Sequence, residues 1–293
     1  MNFRAHPFSL RQVQYAAAVA ESGGFGSAAT LCGVSQPALS AQVSKLEDAL
    51  GVQLFERHAR KVMLTGKGRE LMPQLHALLQ GADGLQQHGS VLAGSTDLVL
   101  RVGVIPTVAP YLLPKQARAL RALPFSLHWL ELQTHQCESA LATGDLDAML
   151  IADPPSSPSF QSMELGFEPF HLLVPAEHAL RGSVTSAAVK SAELLLLEDG
   201  HCLRDQTLNL CLIQDSQRSP YRATSLATVV QMVAADMGVT VIPESAVQVE
   251  TRNGLVRALP FEEGKVGRTL RLIWRSRSPL GSQIKDLGKL LRI

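Results

Sequence analysis

The sequence of 293 residues has no apolar run close to the roughly 20 residues that a transmembrane helix needs. Its N-terminus also lacks the apolar region and cleavage site of a signal peptide. Cysteine is scarce, with four in the chain. Four cysteines without an export signal indicate a reducing compartment, where a disulfide is transient rather than structural. We therefore expect a cytoplasmic protein that makes no membrane contact.

The chain also lacks a strong overall charge, since its formal net charge is +1. The charge is unevenly distributed, because residues 1–70 contain eight Lys and Arg against five Asp and Glu. This excludes a uniformly basic, polyelectrolyte-like protein but leaves a basic first segment. The length is too great for one typical domain and predicts two or three.

Residues 9–66 have the pattern of a small helical unit. Ser35 and Pro37 favour a helix start, and apolar residues then recur to about Leu50 at the spacing of one buried stripe. The opposite face of this helix carries small and polar residues. A helix, a glycine turn and a second helix with such a face predict a helix-turn-helix, although other small helical bundles share this pattern. Residues 54–65 alternate like a hairpin and contain Arg57, Arg60 and Lys61, which suit contacts with phosphates.

From Asp97 onward, strand-like and helical segments alternate, which predicts an α/β architecture. The strand-like segments are residues 98–105, 126–132, 146–152, 171–175, 194–198, 239–243, 255–259 and 270–274. The helical segments between them include residues 112–120, 135–142, 225–237 and 282–291. A long helix over residues 66–92, capped by Thr65, precedes this region.

Two cysteines lie nine positions apart in the segment 200–211. His201 and Arg204 flank Cys202, and nearby positive charge favours the reactive thiolate, so Cys202 is the candidate reactive sulfur. A disulfide needs Cα atoms roughly 4.4–6.8 Å apart. Nine residues rise about 13.5 Å in a helix and about 30 Å in a strand. A bond between Cys202 and Cys211 therefore requires the segment to refold; alternatively, the two are unrelated buried thiols.

Two sets of residues resemble the LysR family of bacterial transcription factors. Ser-Gln-Pro-Ala-Leu-Ser at 35–40, followed by Leu54, Phe55 and Arg57, resembles the winged helix-turn-helix of the family. Glu-Asp-Gly-His-Cys-Leu-Arg-Asp-Gln at 198–206, with the second cysteine, resembles the sensor segment of the peroxide-responsive, OxyR-type members. Residues 105–107, 134–136 and 222–226 match these members as well.

The resemblance implies a winged helix-turn-helix at residues 1–66 and a linker and dimerisation helix at residues 67–96. A two-lobed α/β regulatory domain, similar to periplasmic binding proteins, would occupy residues 97–293. From the residues alone, the long helix is equally consistent with packing inside one domain. The implied protein is a transcription regulator of the activator type rather than an enzyme, and it forms a homodimer or homotetramer.

By the same resemblance, Cys202 reacts with hydrogen peroxide and Cys211 then resolves the product into a reversible disulfide. His201, Thr107, Thr134 and Arg275 would surround Cys202. The implied DNA-contacting residues are Ser35, Gln36, Pro37, Ser40, Ala41, Arg57 and Arg60. The implied partners are double-stranded promoter DNA, hydrogen peroxide, RNA polymerase and a thiol reductant of the glutaredoxin or thioredoxin type. No cofactor or metal is expected.

Three other functions compete with this interpretation. A LysR-type regulator that binds a small metabolite between its lobes would carry its cysteines incidentally. A thiol peroxidase would turn over with a reductant, and the predicted DNA-binding unit argues against it. A receptor for transported solutes is disfavoured by the same unit and by the missing export signal.

Overall fold

The computed structural model describes residues 5–56, 62–92, 98–189, 193–211 and 221–293. The chain separates into two units, with the division between Gly89 and Ser90. In the described residues, no helix is long and apolar enough to span a membrane.

The first unit is a helix-turn-helix followed by a short hairpin and a long helix. Its elements are α1 (Leu10–Ser22), α2 (Phe25–Leu31), α3 (Gln36–Leu50), β1 (Phe55–Glu56), β2 (Met63–Leu64) and α4 (Gly66–Leu92). These bounds confirm the predicted helices and the hairpin strands. Ser9 and Gln12 cap α1 reciprocally, and the Thr65 hydroxyl accepts a hydrogen bond from the Gly68 amide at the start of α4.

A buried carboxylate connects the second helix of this motif to the hairpin. Glu47 lies on the inner face of α3, and its Oε1 accepts hydrogen bonds from the backbone amides of Leu54 (2.7 Å) and Phe55 (3.2 Å). Leu39, Val43 and Leu46 fill the same face and are fully buried. The predicted apolar stripe therefore forms the core of this unit, and the outer face of α3 is left to solvent.

The second unit is an α/β domain with two lobes. Its strands are β3 (Val99–Val104), β4 (Ser126–Glu131), β5 (Ala148–Ile151), β6 (Phe160–Pro175), β7 (Leu196–Leu197), β8 (Arg222–Ala223), β9 (Thr240–Pro243), β10 (Val256–Pro260) and β11 (Gly267–Arg275). Its helices are α5 (Ala109–Leu120), α6 (Thr134–Thr143), α7 (Ser186–Val189), α8 (Cys202–Cys211), α9 (Leu226–Ala234), α10 (Glu244–Glu250) and α11 (Gly281–Leu290).

Two long antiparallel strands, β6 and β11, connect the lobes. In the first lobe, β3 is central, with β4 and β5 parallel on either side, and β11 pairs with β5. The first part of β6 pairs with β11, and its last part pairs with β9 and β10 in the second lobe. The sequence predicted only the end of β6, at residues 171–175, and it did not predict α10. The two-lobed α/β architecture is confirmed.

Candidate functional site around Cys202

Three parallel strands of the first lobe end at one edge of the sheet, and a polar residue follows each. Thr107 comes after β3, Thr134 opens α6 after β4, and Asp153 comes after β5. Ligand sites in open α/β sheets lie outside the carboxyl ends of such strands. The topology therefore places these three residues around one crevice.

Helix α8 begins at this crevice with Cys202. The Cys202 side chain is 7% exposed and belongs to the apolar core of the first lobe. The next residue, Leu203, belongs to the core of the second lobe. The start of α8 is therefore inserted between the lobes, and a change in its conformation must disturb both cores.

The charge state of Cys202 follows from burial more than from its sequence neighbours. Burial raises the pKa of the Cys202 thiol, while the positive charge of Arg268 and the Thr134 hydroxyl lower it and Asp153 raises it. The prediction that neighbouring His201 and Arg204 shift this group toward the thiolate was wrong. The free-energy penalty for removing the thiolate from water exceeds the stabilisation that the Arg268 charge provides. At neutral pH the group is a thiol.

Arg268 is the buried cation of the site. Its Nε donates to Glu168 Oε2 at 2.8 Å, and the two side chains are 1% and 2% exposed. They are directly opposed on β11 and β6. The Arg268 guanidinium also donates to the Thr107 hydroxyl (2.8 Å) and to the Thr107 carbonyl (3.0 Å). Arg268 therefore holds Thr107 in place and also links β11 to β6, the two strands that connect the lobes.

Arg275 and Arg204 make their polar contacts with residues other than Cys202. The Arg275 guanidinium donates to the carbonyls of Leu141 and Leu146, both at 2.6 Å, and lies 3.8 Å from Asp147. Arg204 forms an ion pair with Asp199 at 2.9 Å. The arginine whose charge acts on Cys202 is Arg268, so the predicted placement of Arg275 around the thiol is corrected.

His201 precedes Cys202 and is 5% exposed. Its Nε2 lies 3.4 Å from the side-chain nitrogen of Gln133, and burial lowers the pKa of the imidazole. The ring is therefore neutral at physiological pH. Gly200 has φ +96°, and a Cβ at this position would meet the Gln133 side chain at 2.5 Å. This glycine allows the chain to bring His201 against Gln133.

Two buried polar atoms near the thiol have no hydrogen-bond partner among the described residues. They are Thr134 Oγ1 and Gln206 Oε1. The Thr134 hydroxyl is close enough to Cys202 to lower its pKa, yet it makes no hydrogen bond of standard geometry. Buried polar groups are normally satisfied, so these atoms are available to a small polar ligand.

The second cysteine of the predicted pair ends α8. The structure describes the backbone of Cys211 but not its side chain. Nine residues of α-helix separate the two Cα atoms by about 13.5 Å, which no disulfide spans. In this conformation Cys202 is a free thiol, and the segment from Cys202 to Cys211 is helical.

Cys137 is a second thiol in the core of the first lobe. It is fully buried, packs beside Gly103, and burial raises its pKa to about 12. It lies one turn after Thr134 on α6. Such a thiol is a poor nucleophile, and its position is that of a packing residue.

The residues predicted to contact DNA cluster at the start and outer face of α3. Ser35, Gln36, Pro37 and Ala41 are exposed, and Ser40 is half-buried. Arg57 and Arg60 lie outside the described residues. The structure presents the described residues on one accessible surface, as a groove-reading helix requires.

Two known protein families match this chain, one in each of its two units. Residues 10–69 match the bacterial regulatory helix-turn-helix of the lysR family, and residues 93–292 match the LysR substrate binding domain. The chain belongs to the LysR family. Over 291 residues it is 39% identical to the "DNA-binding transcriptional dual regulator OxyR" of Escherichia coli K12, a match that covers 97% of this chain and 95% of the relative.

Solved structures extend the comparison of this LysR-family chain to the whole fold. A full-length OxyR from Pseudomonas aeruginosa with a cysteine-to-aspartate substitution is 35% identical, with TM-score 0.80, over 99% of this chain and 96% of that one. A cysteine-to-serine mutant of Corynebacterium glutamicum OxyR, described as hydrogen-peroxide-bound, is 34% identical. It has TM-score 0.66 over 98% of this chain and 92% of that one. Within the family, the chain is of the OxyR type.

Proposed function

We propose that this chain is a promoter-binding transcription regulator that senses hydrogen peroxide through a reversible Cys202–Cys211 disulfide. The observation that carries the proposal is the placement of Cys202. It is a buried thiol beside a hydroxyl without a partner, at the first residue of a helix that ends at the second cysteine. Residues 1–66 would bind DNA, residues 67–96 would pair subunits, and residues 97–293 would sense peroxide.

The chemistry proceeds in two steps. The Cys202 sulfur attacks one oxygen of hydrogen peroxide, the O–O bond breaks, and the products are a sulfenic acid and water. The Cys211 sulfur then displaces the sulfenic oxygen as a second water and forms the disulfide. Thr107 and Thr134 supply hydroxyl groups at the crevice, and Arg268 supplies positive charge. A dithiol reductant of the glutaredoxin or thioredoxin type would reset the pair.

The helix explains why oxidation would act as a switch. In the helical state the two Cα atoms are about 13.5 Å apart, more than twice the distance that a disulfide accepts. The bond can form only if α8 unwinds, and its first residues lie in the cores of both lobes. Oxidation would thus change the packing between the lobes. In a dimer or tetramer, that change would alter promoter contacts or the recruitment of RNA polymerase.

Disulfide mapping tests the proposal. The full-length protein is treated with stoichiometric hydrogen peroxide, alkylated and digested, and each cysteine is assigned by mass spectrometry. We expect a Cys202–Cys211 peptide in the unsubstituted chain and a stable sulfenic acid at Cys202 in Cys211→Ser. Cys137→Ala is the matched control and should still form the bond. Free Cys202 and Cys211 after peroxide would contradict the proposal and favour a metabolite-responsive regulator.

A further inference from the structure

Asp153 is the third polar side chain at the strand edge that surrounds Cys202. It follows Ala152, which belongs to the same buried cluster as Cys202. The side chain of Gln206 contacts the Asp153 carboxylate, and Gln206 lies one helical turn after Cys202 on α8. Residues four apart share a helix face, so Asp153 and Cys202 lie on the same side of α8.

A small set of charged groups shifts the pKa values of Asp153 and Cys202. Glu138 from α6, Asp205 from α8 and Arg268 from β11 act on Asp153, and burial raises the pKa of its carboxyl group. The charges that act on Cys202 are those of Arg268 and Asp153. Of these two, an arginine keeps its proton, so Asp153 is the group that can take a proton from the thiol.

The two acids are coupled. The Asp153 charge raises the pKa of Cys202, and because such an interaction is mutual, the state with both groups ionised is disfavoured. The pair therefore carries one negative charge, either on the carboxylate or on the sulfur, and Arg268 faces both forms. Moving the proton from Cys202 to Asp153 creates the thiolate without adding charge to the buried site.

We propose that Asp153 is the proton-transfer residue for the reaction of Cys202 with peroxide; this rests on the proposed function of Cys202 as the peroxide-reactive thiol. The carboxylate takes the thiol proton through a water molecule or the bound peroxide. The thiolate sulfur attacks one peroxide oxygen and the O–O bond breaks. Asp153 gives its proton to the departing oxygen, which leaves as water. Cysteine is oxidised to the sulfenic acid, peroxide is reduced, and the carboxylate is restored.

The test is the rate of Cys202 oxidation in full-length Asp153→Asn between pH 6 and pH 9. Aliquots are quenched with an alkylating reagent, and free Cys202 is counted by mass spectrometry. Loss of a general acid–base group should slow the reaction on the order of 100-fold at pH 7. In the unsubstituted chain the rate should be nearly constant from pH 7 to 9. In Asp153→Asn it should rise in proportion to hydroxide.

Two further variants serve as controls for the effect of Asp153→Asn on the rate. Glu177→Gln removes an exposed carboxylate that acts on neither Asp153 nor Cys202, and this variant should oxidise at close to the unsubstituted rate. Asp153→Glu keeps a carboxyl group and should keep the flat pH profile. An Asp153→Asn protein that reacts as fast as the unsubstituted chain, or faster, would show that Asp153 only disfavours the thiolate and would overturn the inference.

The unsubstituted chain gives a result that does not depend on any variant folding. A rate that rises in proportion to hydroxide from pH 7 to 9 would contradict proton transfer by Asp153. If Cys202 of the unsubstituted chain does not react with peroxide at all, the proposed function fails, which is a different outcome from the failure of Asp153 alone.

Discussion

Cys202 combines a buried thiol with a buried cation, and the balance between them determines its reactivity. Burial holds the group protonated, and Arg268 opposes that effect from within an ion pair with Glu168. Because Glu168 neutralises much of the arginine charge, the cation alone does not produce a standing thiolate. The site therefore holds a thiol that must lose its proton before the sulfur can act as a nucleophile.

Replacing Arg268 should affect both stability and chemistry. Arg268→Met leaves Glu168 buried without its partner and should lower the free energy of unfolding by about 3–5 kcal/mol. It should also raise the pKa of Cys202, since the favourable charge is lost. Urea unfolding and the pH dependence of Cys202 alkylation measure the two effects.

Arg271→Met is the matched control for that substitution. Arg271 lies on the same strand, and its 3.0 Å ion pair is with Glu164, whose side chain is 68% exposed. Exposed pairs contribute about 0–1 kcal/mol, so this variant should remain close to the unsubstituted chain. An Arg271→Met protein that loses as much stability as Arg268→Met would contradict the assigned role of Arg268.

His201 makes the stability of the folded state depend on pH. Its pKa is lowered by burial, so below the unfolded pKa of about 6.5 the unfolded chain binds more protons than the folded one. Stability should therefore fall as the pH falls through this range, by at most about 1.4 kcal/mol per pH unit. Thermal unfolding between pH 7.5 and 5.5 measures the slope.

His201→Gln should reduce that slope, because glutamine keeps a polar contact with Gln133 but does not titrate. His135→Gln, at an exposed position on α6, should leave it unchanged. Equal slopes in the unsubstituted chain and in His201→Gln would show that the imidazole is not the group responsible.

Among the secondary-structure elements, helix α8 is the one that the proposed Cys202–Cys211 disulfide would change. Its Thr207 hydroxyl donates to the Leu203 carbonyl at 2.7 Å, and its Leu208 and Leu210 pack against the second lobe. Hydrogen exchange should show protected amides in residues 205–210 of the reduced protein and loss of that protection after peroxide. Cys211→Ser should keep its protection after the same treatment. Unchanged protection in a protein whose disulfide has formed would contradict the unwinding.

The hairpin of the first unit depends on Glu47 of α3. Glu47→Ala removes the acceptor of two buried backbone amides and should lower the stability of that unit by about 2–4 kcal/mol. Asp48→Ala, at the exposed neighbouring position, is the matched control. Urea unfolding of both variants distinguishes the buried from the exposed carboxylate; equal losses would contradict the role of Glu47.

The elements that the sequence predicted best have short-range signals. Capping residues and a regular apolar stripe determine α1 and α3, and strand–helix alternation determines the α/β class. The first part of β6 was missed because residues 160–169 contain Gly166 and Pro169 and are largely exposed as they cross between the lobes. Its pairing with β11 is a long-range effect.

Side-chain roles at the site were predictable only in part. Thr107 and Thr134 follow strand ends, a position that the sequence reveals, and Asp153 could have been found by the same signal. Arg268 and Arg275 lie on one strand, seven residues apart, so their side chains point to opposite faces. The sequence does not show which face meets Cys202, and burial, which raises its pKa, depends on the packing of both lobes.

At the largest scale, strands β6 and β11 connect the two lobes of the second unit and belong to its seven-stranded sheet. Arg268 and Glu168 form an ion pair across the antiparallel strands β11 and β6, and the Tyr111 hydroxyl of α5 donates to Glu250 of α10 at 2.7 Å. The start of α8 lies between the same lobes. A change in α8 therefore acts on contacts between lobes rather than on one lobe alone, which is how a local bond formation can have a distant effect.

The proposed redox control of DNA binding is tested most directly by promoter DNA footprinting combined with thiol counting on the same samples, before and after stoichiometric peroxide. We predict that a Cys202–Cys211 bond forms and that the footprint changes in the unsubstituted chain, while Cys202→Ser shows neither change. A Cys202→Ser protein whose footprint still responds to peroxide, or a disulfide that leaves the footprint of the unsubstituted chain unaltered, would contradict it.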